Sequence, residues 1–389
     1  MGPVIILDKS ALQALSREEI FFLHKHYFVN LLPVLFAEVL GDLHKYGTDK
    51  RLSRSEVGQV ARKLTGLGAV LNGDHRTMIE GELLGFPVPM KRKPALFGGR
   101  RVNDSSGGFG IVFDESPEQL AALRWSEGRF EEIEEAVAAF WRRHAASADL
   151  ARPGAGWDRL VTCRKKPATL DEAARQVKRN LTLARDHRPH IQWLTRQMGF
   201  PPAYEATVLT RWDGYHAVFM ETAAPYSYYC VHLLLTFSLG LESGLVPPKP
   251  TNRIDLEYLF YLPFCRVFAT RDKQQRSMAA AFLEQDQDLV DGNELKSDLA
   301  RLAEEWSVLS EDERREREYD YGRYPLNNED SLTSRLWKKY MRPWELGSGN
   351  KVVKMTDAEK RQSFEELRPI IDALRDDSSQ DDGGAVGGG

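Results

Sequence analysis

Two short apolar runs, more than half the chain apart, each lead into a carboxylate, and this feature constrains the fold most. Val4-Ile5-Ile6-Leu7 meets Asp8, followed by Lys9 and Ser10, and Cys265-Arg266-Val267-Phe268-Ala269-Thr270 meets Arg271 and Asp272. Runs of this length, rich in β-branched residues, read as buried strands. In an open parallel α/β sheet the crevice beyond the strand C-termini is where ligands sit. Aspartates ending two neighbouring strands would share one pocket, and carboxylates in one pocket call for a hard divalent cation such as Mg²⁺ or Mn²⁺. The chemistry follows from mutual repulsion: crowded carboxylates have raised pKa values until a cation neutralises them. A cation-bound water can then serve as nucleophile without a Ser or His.

The chain has 389 residues, 42% of them hydrophobic and 28% charged, with a net charge of -4. This suits a soluble globular protein and excludes a global polycation, so a nucleic-acid partner would depend on local basic patches. Cys163, Cys230 and Cys265 are odd in number and widely spaced, which argues against a disulfide framework or a zinc site and suits a reducing cytoplasm. The start carries no signal-peptide pattern. The longest apolar stretch, Tyr226 to Leu241, contains His232, Ser238 and Gly240 and falls short of a membrane span.

Along the chain, Phe28 to Leu32 reads as a second strand closed by Pro33 at a helix start. Pro33 to Leu43 reads as a helix with Glu38 and Asp42 four apart on one face. Ser53-x-x-Glu56 marks a helix start, and Ser116-Pro117-Glu118-Gln119 opens one expected to run to about His144. Thr169-x-x-Glu172 opens another, to about Met198 with a break near Pro189. Tyr226 to Leu241 reads as a buried helix, Leu256 to Leu262 as a short one, and Ser277 to Trp306 and much of Thr356 to Leu374 as helical. Ser105 to Gly110 lacks the Gly-Lys-Ser/Thr of a phosphate loop and reads as a loop.

Four carboxylates in this order, Asp8, Glu38, Asp255 and Asp272, resemble the PIN-like nuclease family. The matching motifs are Ile6-Leu7-Asp8-Lys9-Ser10, Pro33-Val34-Leu35-Phe36-Ala37-Glu38, Asp255-Leu256-Glu257-Tyr258-Leu259 and Val267-Phe268-Ala269-Thr270-Arg271-Asp272. The resemblance implies a three-layer α/β/α fold with a central parallel sheet. It also implies carboxylates around one or two Mg²⁺ or Mn²⁺ ions and hydrolysis of phosphodiester bonds, RNA ahead of DNA. Asp8 and Asp272 are then the leading ligands, Glu38 a direct or water-mediated one, and Asp255 the fourth. Ser10 and Thr270 would hydrogen-bond the ligands, Asp42 competes with Glu38, and Glu257 is a weaker rival to Asp255. Two departures stand out. About 210 residues separate Asp42 from Asp255, and Lys9 stands where a small hydroxyl residue is common.

The division this suggests is a PIN-like first half at 1–45, a mainly helical insertion at 46–224, a second half at 225–300, a helical extension at 301–375 and a disordered tail at 376–389. Basic clusters in the insertion, Lys91-Arg92-Lys93, Arg100-Arg101 and Arg164-Lys165-Lys166, with Arg142-Arg143 beside Trp141, are candidate phosphate contacts with aromatic stacking partners nearby. A lone aspartate at a strand end reads as a helix cap; the ordered four read as a metal site. The expectation is a cytoplasmic metal-dependent nuclease, with no membrane association and with a protein partner or homo-oligomer left open. The alternative is a catalytically inactive PIN-like scaffold.

Overall fold

The computed structural model describes residues 2–47, 49–66, 69–103, 109–147, 156–163, 165–213, 220–318, 325 and 331–341. The helix expected within Thr356 to Leu374 and the tail lie outside these residues. The chain is α/β, organised on a five-stranded, all-parallel sheet. Strand β1 (Val4–Leu7) is followed by helices α1 (Lys9–Ala14) and α2 (Arg17–His26), then β2 (Phe28–Leu31), α3 (Pro33–Gly41), α4 (Lys50–Leu64) and β3 (Ala69–Leu71). A long excursion begins with α5 (His75–Leu83), the antiparallel hairpin of β4 (Arg100–Asn103) and β5 (Phe109–Val112), and α6 (Pro117–Ser126). It continues with α7 (Glu132–Ser147), α8 (Leu170–Leu183), α9 (Arg188–Gln197), α10 (Pro202–Asp213), α11 (Met220–Ala223), α12 (Pro225–Glu242) and α13 (Thr251–Leu259). The chain then re-enters the sheet as β6 (Val267–Thr270), α14 (Lys273–Ala280) and β7 (Asp288–Asp291), and α15 (Gly292–Ser307), α16 (Glu311–Glu318) and α17 (Leu332–Tyr340) follow.

The strand order is β3-β2-β1-β6-β7. The chain lays β1, β2 and β3 outward in one direction, then returns to lay β6 and β7 on the other side of β1. Winding therefore reverses between β1 and β6, the kind of position where an open α/β sheet forms its ligand crevice. The register pairs Ile5 with Val267, Ile6 with Phe268 and Leu7 with Ala269. The Asp8 amide donates to the Ala269 carbonyl at 3.2 Å, so the ladder continues to the first carboxylate. Every residue of β1 and β6 is buried, as expected for parallel strands covered on both faces. Ile5, Ile6 and Phe268 are fully buried, each stabilising the fold by about 1.5–3 kcal/mol relative to exposure.

Two helices, α12 and α17, have first-turn amides held by acids remote in sequence. Glu82 of α5 accepts from the amides of Tyr226 (3.0 Å) and Ser227 (2.6 Å) and from the Ser227 hydroxyl (2.8 Å). Asp298 of α15 accepts from the amides of Leu332 (3.0 Å) and Thr333 (2.9 Å) and the Thr333 hydroxyl (2.6 Å). The first turn of a helix leaves N–H groups without intrahelical partners; here buried carboxylates from elsewhere in the chain satisfy them. Trp337 completes the docking of α17, donating from its indole to the His26 carbonyl at 2.7 Å.

Several expectations are corrected. Beyond its helices, the stretch 46–224 supplies a strand of the main sheet that the sequence reading did not place: β3 pairs with β2 through Val29–Ala69, Asn30–Val70 and Leu31–Leu71. Ser277 to Trp306 is not one helical region, because β7 pairs with β6 within it. The helix expected from Ser116 to about His144 is two, broken around Gly128, whose φ of 76° leaves the helical region. The start near Ser53 moves to Lys50, because Asp49 supplies the cap by accepting from Leu52. Asp255 lies inside α13 rather than ahead of it. Among the described residues no helix is long and apolar enough to cross a membrane.

Candidate metal centre at the sheet switch point

Asp8 follows β1 directly and Asp272 lies two residues beyond β6, so both sit where the winding reverses. Each also caps the helix it precedes. Asp8 Oδ1 accepts from the Ala11 amide at 2.8 Å, and Asp272 Oδ1 from the Gln275 amide at 2.8 Å. The capping and crevice roles thus coincide in the same side chains, because a β–α turn puts both the helix N-terminus and the strand end in one place. Asp8 Oδ2 accepts from the Ser10 hydroxyl at 2.7 Å and the Thr270 hydroxyl at 3.0 Å. The Thr270 oxygen in turn accepts from the Asp272 amide at 3.0 Å. Ser10 and Thr270 therefore do hydrogen-bond Asp8, and Thr270 links the ends of the two central strands.

Glu38 and Asp42 come from α3 and its end. The Tyr258 hydroxyl donates to Glu38 Oε2 at 2.7 Å. Lys9 Nζ lies 2.7 Å from Asp42 Oδ2 and 3.7 Å from Glu38 Oε1, and donates to the Glu38 carbonyl at 3.2 Å. Arg142 also reaches Asp42, at 3.4 Å. Asp42 is thus held by two cations rather than supporting the other carboxylates, and Lys9 is an internal counter-ion to the α3 acids.

Asp255 is different. Its carboxylate accepts no hydrogen bond and forms no ion pair with any described residue; only its main-chain carbonyl is engaged, by Gln275 at 3.3 Å. Burial, then repulsion from Asp272, Glu38 and Asp8, pushes its pKa up to about 8. Burial also raises Asp8 against the opposing hydrogen bonds from Ser10, Ala11 and Thr270. Glu38 is raised by burial as well, with Lys9 and Tyr258 opposing. The four expected carboxylates therefore act on one another electrostatically. Glu257, the rival to Asp255, turns toward Arg253, Asp74 and Arg76, and burial lifts it to about 6.

Among the described residues no group of three or more His, Cys, Asp or Glu side chains gathers closely enough to hold a metal ion. The donor chemistry still fits Mg²⁺ or Mn²⁺. The donors are all carboxylate oxygens, one has no hydrogen-bond or ion-pair partner among the described residues, and such ions retain several waters between themselves and the protein. Asp8, Asp255 and Asp272, with Glu38 on the flank, are the residues that would hold such an ion. Tyr258, Gln275 and the counter-ion role of Lys9 were not anticipated. Tyr258 lies three positions after Asp255 and Gln275 three after Asp272, helical spacings that could have indicated both.

The basic candidates fare unevenly. Arg92 is neutralised, with Glu284 at 2.6 Å and Asp286 at 3.0 Å. Lys91, Lys93, Lys165 and Lys166 are exposed. Arg100, on β4, lies 4.0 Å from Asp114 beyond β5, the Arg101 side chain is not described, and Arg164 lies outside the described residues. No described hydrogen bond or ion pair joins these residues to Asp8, Glu38, Asp255 or Asp272. Comparison of the chain with protein-family models, with curated proteins and with solved structures finds no match.

Proposed function

We propose that the protein is a cytoplasmic, PIN-like phosphodiester hydrolase dependent on Mg²⁺ or Mn²⁺, acting on RNA ahead of DNA. One observation carries the reading: Asp255 is a largely buried carboxylate that accepts no hydrogen bond from any described residue, and repulsion from Asp272, Glu38 and Asp8 adds to burial in raising its pKa. A site of that charge gains stability from a cation. A hydrated divalent ion held there would supply both that charge and a water of lowered pKa.

The chain's own groups have definable parts. Ser10 and Thr270 fix Asp8 Oδ2, so the carboxylate keeps one orientation. Tyr258 fixes Glu38. The Asp255 carboxyl, near 8 without a cation, holds its proton at neutral pH and must release it as a cation enters. Cation binding should therefore release about one proton near neutral pH, measurable by calorimetry in buffers of different ionisation enthalpy. Cleavage of single-stranded RNA should require Mn²⁺ or Mg²⁺ and fail in Asp8→Asn and Asp272→Asn. Equal activity in all three proteins would remove the assignment.

The second reading, a non-enzymatic PIN-like scaffold, has its own support: among the described residues no three carboxylates gather tightly, and Lys9 already neutralises the α3 acids. It predicts no rise in melting temperature with Mn²⁺. A rise that disappears in Asp255→Asn would count against it.

A further inference from the structure

A second feature adjoins helices α3 and α13. A cavity of about 520 Å³ is lined by Arg76, Arg253, Glu257, Asp74, Trp141 and Gln197, among others. Helix α13 serves both places, since Asp255 belongs to the carboxylate site while Arg253 and Glu257 face the cavity. Helix α3 does likewise, with Glu38 at the carboxylate site and Val34 and Ala37 on the cavity wall.

The cavity wall carries two guanidiniums, Arg76 and Arg253, and two carboxylates, Asp74 and Glu257. The Arg253 guanidinium makes no hydrogen bond and no ion pair with any described residue, although it is largely buried. Desolvation lowers its pKa, Glu257 opposes that effect, and Arg76 adds to it. The neighbouring Arg76 is already engaged by the Met198 carbonyl at the end of α9. A largely buried guanidinium without an acceptor among the described residues, beside a second arginine, is a place for an anion. Its fork of donors matches the oxygens of a phosphate.

The rest of the wall says what the anion is attached to. Phosphate alone would leave most of the cavity empty, and 520 Å³ lies in the range that holds a small organic ligand. Trp141 is a fixed aromatic wall: its indole rests on Gly41 so closely that a Cβ there would come within 2.7 Å of the ring. Such a surface suits stacking of a base. Glu257 is an acceptor able to take ring N–H groups, and Asp74, whose Oδ1 already accepts from the Arg76 and Thr77 amides, offers its second oxygen. Guanine, which presents an adjacent ring N–H and amino group, matches a carboxylate best among the bases.

We infer that this cavity binds a guanine nucleotide, its phosphate on Arg253, its base against Trp141 and its ring N–H groups toward Glu257 or Asp74. The nucleotide is either free or part of an RNA chain; only the second source rests on the phosphodiester reading of the neighbouring carboxylates.

The test is calorimetric titration of the full chain in EDTA, where no metal-dependent step can occur, with GMP, AMP, inorganic phosphate and a single-stranded RNA pentamer containing one guanosine. GMP should bind at least about tenfold more tightly than AMP or phosphate. Arg253→Gln and Trp141→Ala should each weaken GMP about tenfold or more, whereas Asp272→Asn should leave GMP binding unchanged. That last result separates failure here from failure of the hydrolase reading. Because Arg253 makes no hydrogen bond or ion pair with a described residue, Arg253→Gln should keep the wild-type melting temperature or raise it. If that variant does not fold, Arg253→Lys, which keeps the charge and loses the fork, should show the weakening instead. A pentamer binding more tightly than GMP identifies the RNA source, and the reverse identifies the free nucleotide. Absence of both GMP and pentamer binding, equal binding of phosphate and GMP, or an unchanged GMP affinity in the folded Arg253 variant would overturn the assignment.

Discussion

Lys9 Nζ sits 2.7 Å from Asp42 Oδ2, and the same ammonium reaches Glu38 Oε1 at 3.7 Å. The side chains of Lys9 and Asp42 are only 13% and 7% exposed, so this is a pair with little solvent around it. Removing one partner of such a pair leaves an uncompensated charge, at a cost of about 3–5 kcal/mol. Arg142 stays near Asp42 and should hold the loss to the lower end. Lys9→Met should therefore lower the unfolding free energy of the metal-free protein by about 3 kcal/mol. It should also enlarge the rise in melting temperature caused by Mn²⁺, because the α3 acids lose their internal cation. Urea denaturation and thermal melts with and without Mn²⁺ check both parts.

The Asp255 carboxyl fixes a direction for pH dependence. Its pKa is near 8 in the folded chain, against an ordinary value of 3.8. Between these values the folded state holds a proton that the unfolded state has lost, so stability falls as pH rises. The slope from this one group is at most about 1.4 kcal/mol per pH unit, and Asp8 and Glu38, also raised, act in the same sense. Metal-free protein should be more stable at pH 5 than at pH 8, and Asp255→Asn should flatten the difference. Denaturant midpoints across that range provide the measurement.

Thr270 is fully buried and joins two strand ends through one hydroxyl. Thr270→Val keeps the shape and removes the oxygen. The Asp272 amide then loses its acceptor and Asp8 Oδ2 keeps only Ser10. An unsatisfied buried group costs about 1–3 kcal/mol, and that loss is expected in a denaturant titration. Ser10→Ala, at a less buried position, should cost less.

Asp298 holds the N-terminus of α17 through three donors and also pairs with Arg301. Asp298→Ala should cost at least about 2 kcal/mol, since several charge-assisted hydrogen bonds are lost and two buried amides are left open. Limited proteolysis should then cut in or before α17 sooner than in the wild type.

The sheet's centre was legible in the sequence because Val4–Leu7 and Val267–Thr270 are apolar throughout and end at acids that also cap helices. Its outer strands were not. Ala69–Leu71 has only three residues, all of intermediate burial, too short for any periodicity. Asp288-Leu289-Val290-Asp291 has two apolar residues between aspartates, and α14 and α15 flank it closely, so its surroundings read as helical. At the candidate site the carboxylates could be picked out by position. The partners that hold or oppose them could not: Tyr258 meets Glu38 across 220 positions of sequence, and such a meeting is set by packing, not by local pattern. Lys9 was visible as an unusual neighbour of Asp8, but its pairing with Asp42 depends on where α3 lies.

The neighbour relation of β1 and β6 has a consequence for synthesis. During translation β1, β2 and β3 emerge long before Val267 does. Until then the β6-facing edge of β1 lacks its strand partner, although β1 is wholly apolar and wholly buried in the finished molecule. An open apolar edge of this kind invites pairing with other chains. The growing polypeptide must therefore shield it for the time the ribosome takes to add some 260 residues, so truncated products that stop before β6 should be the aggregating species.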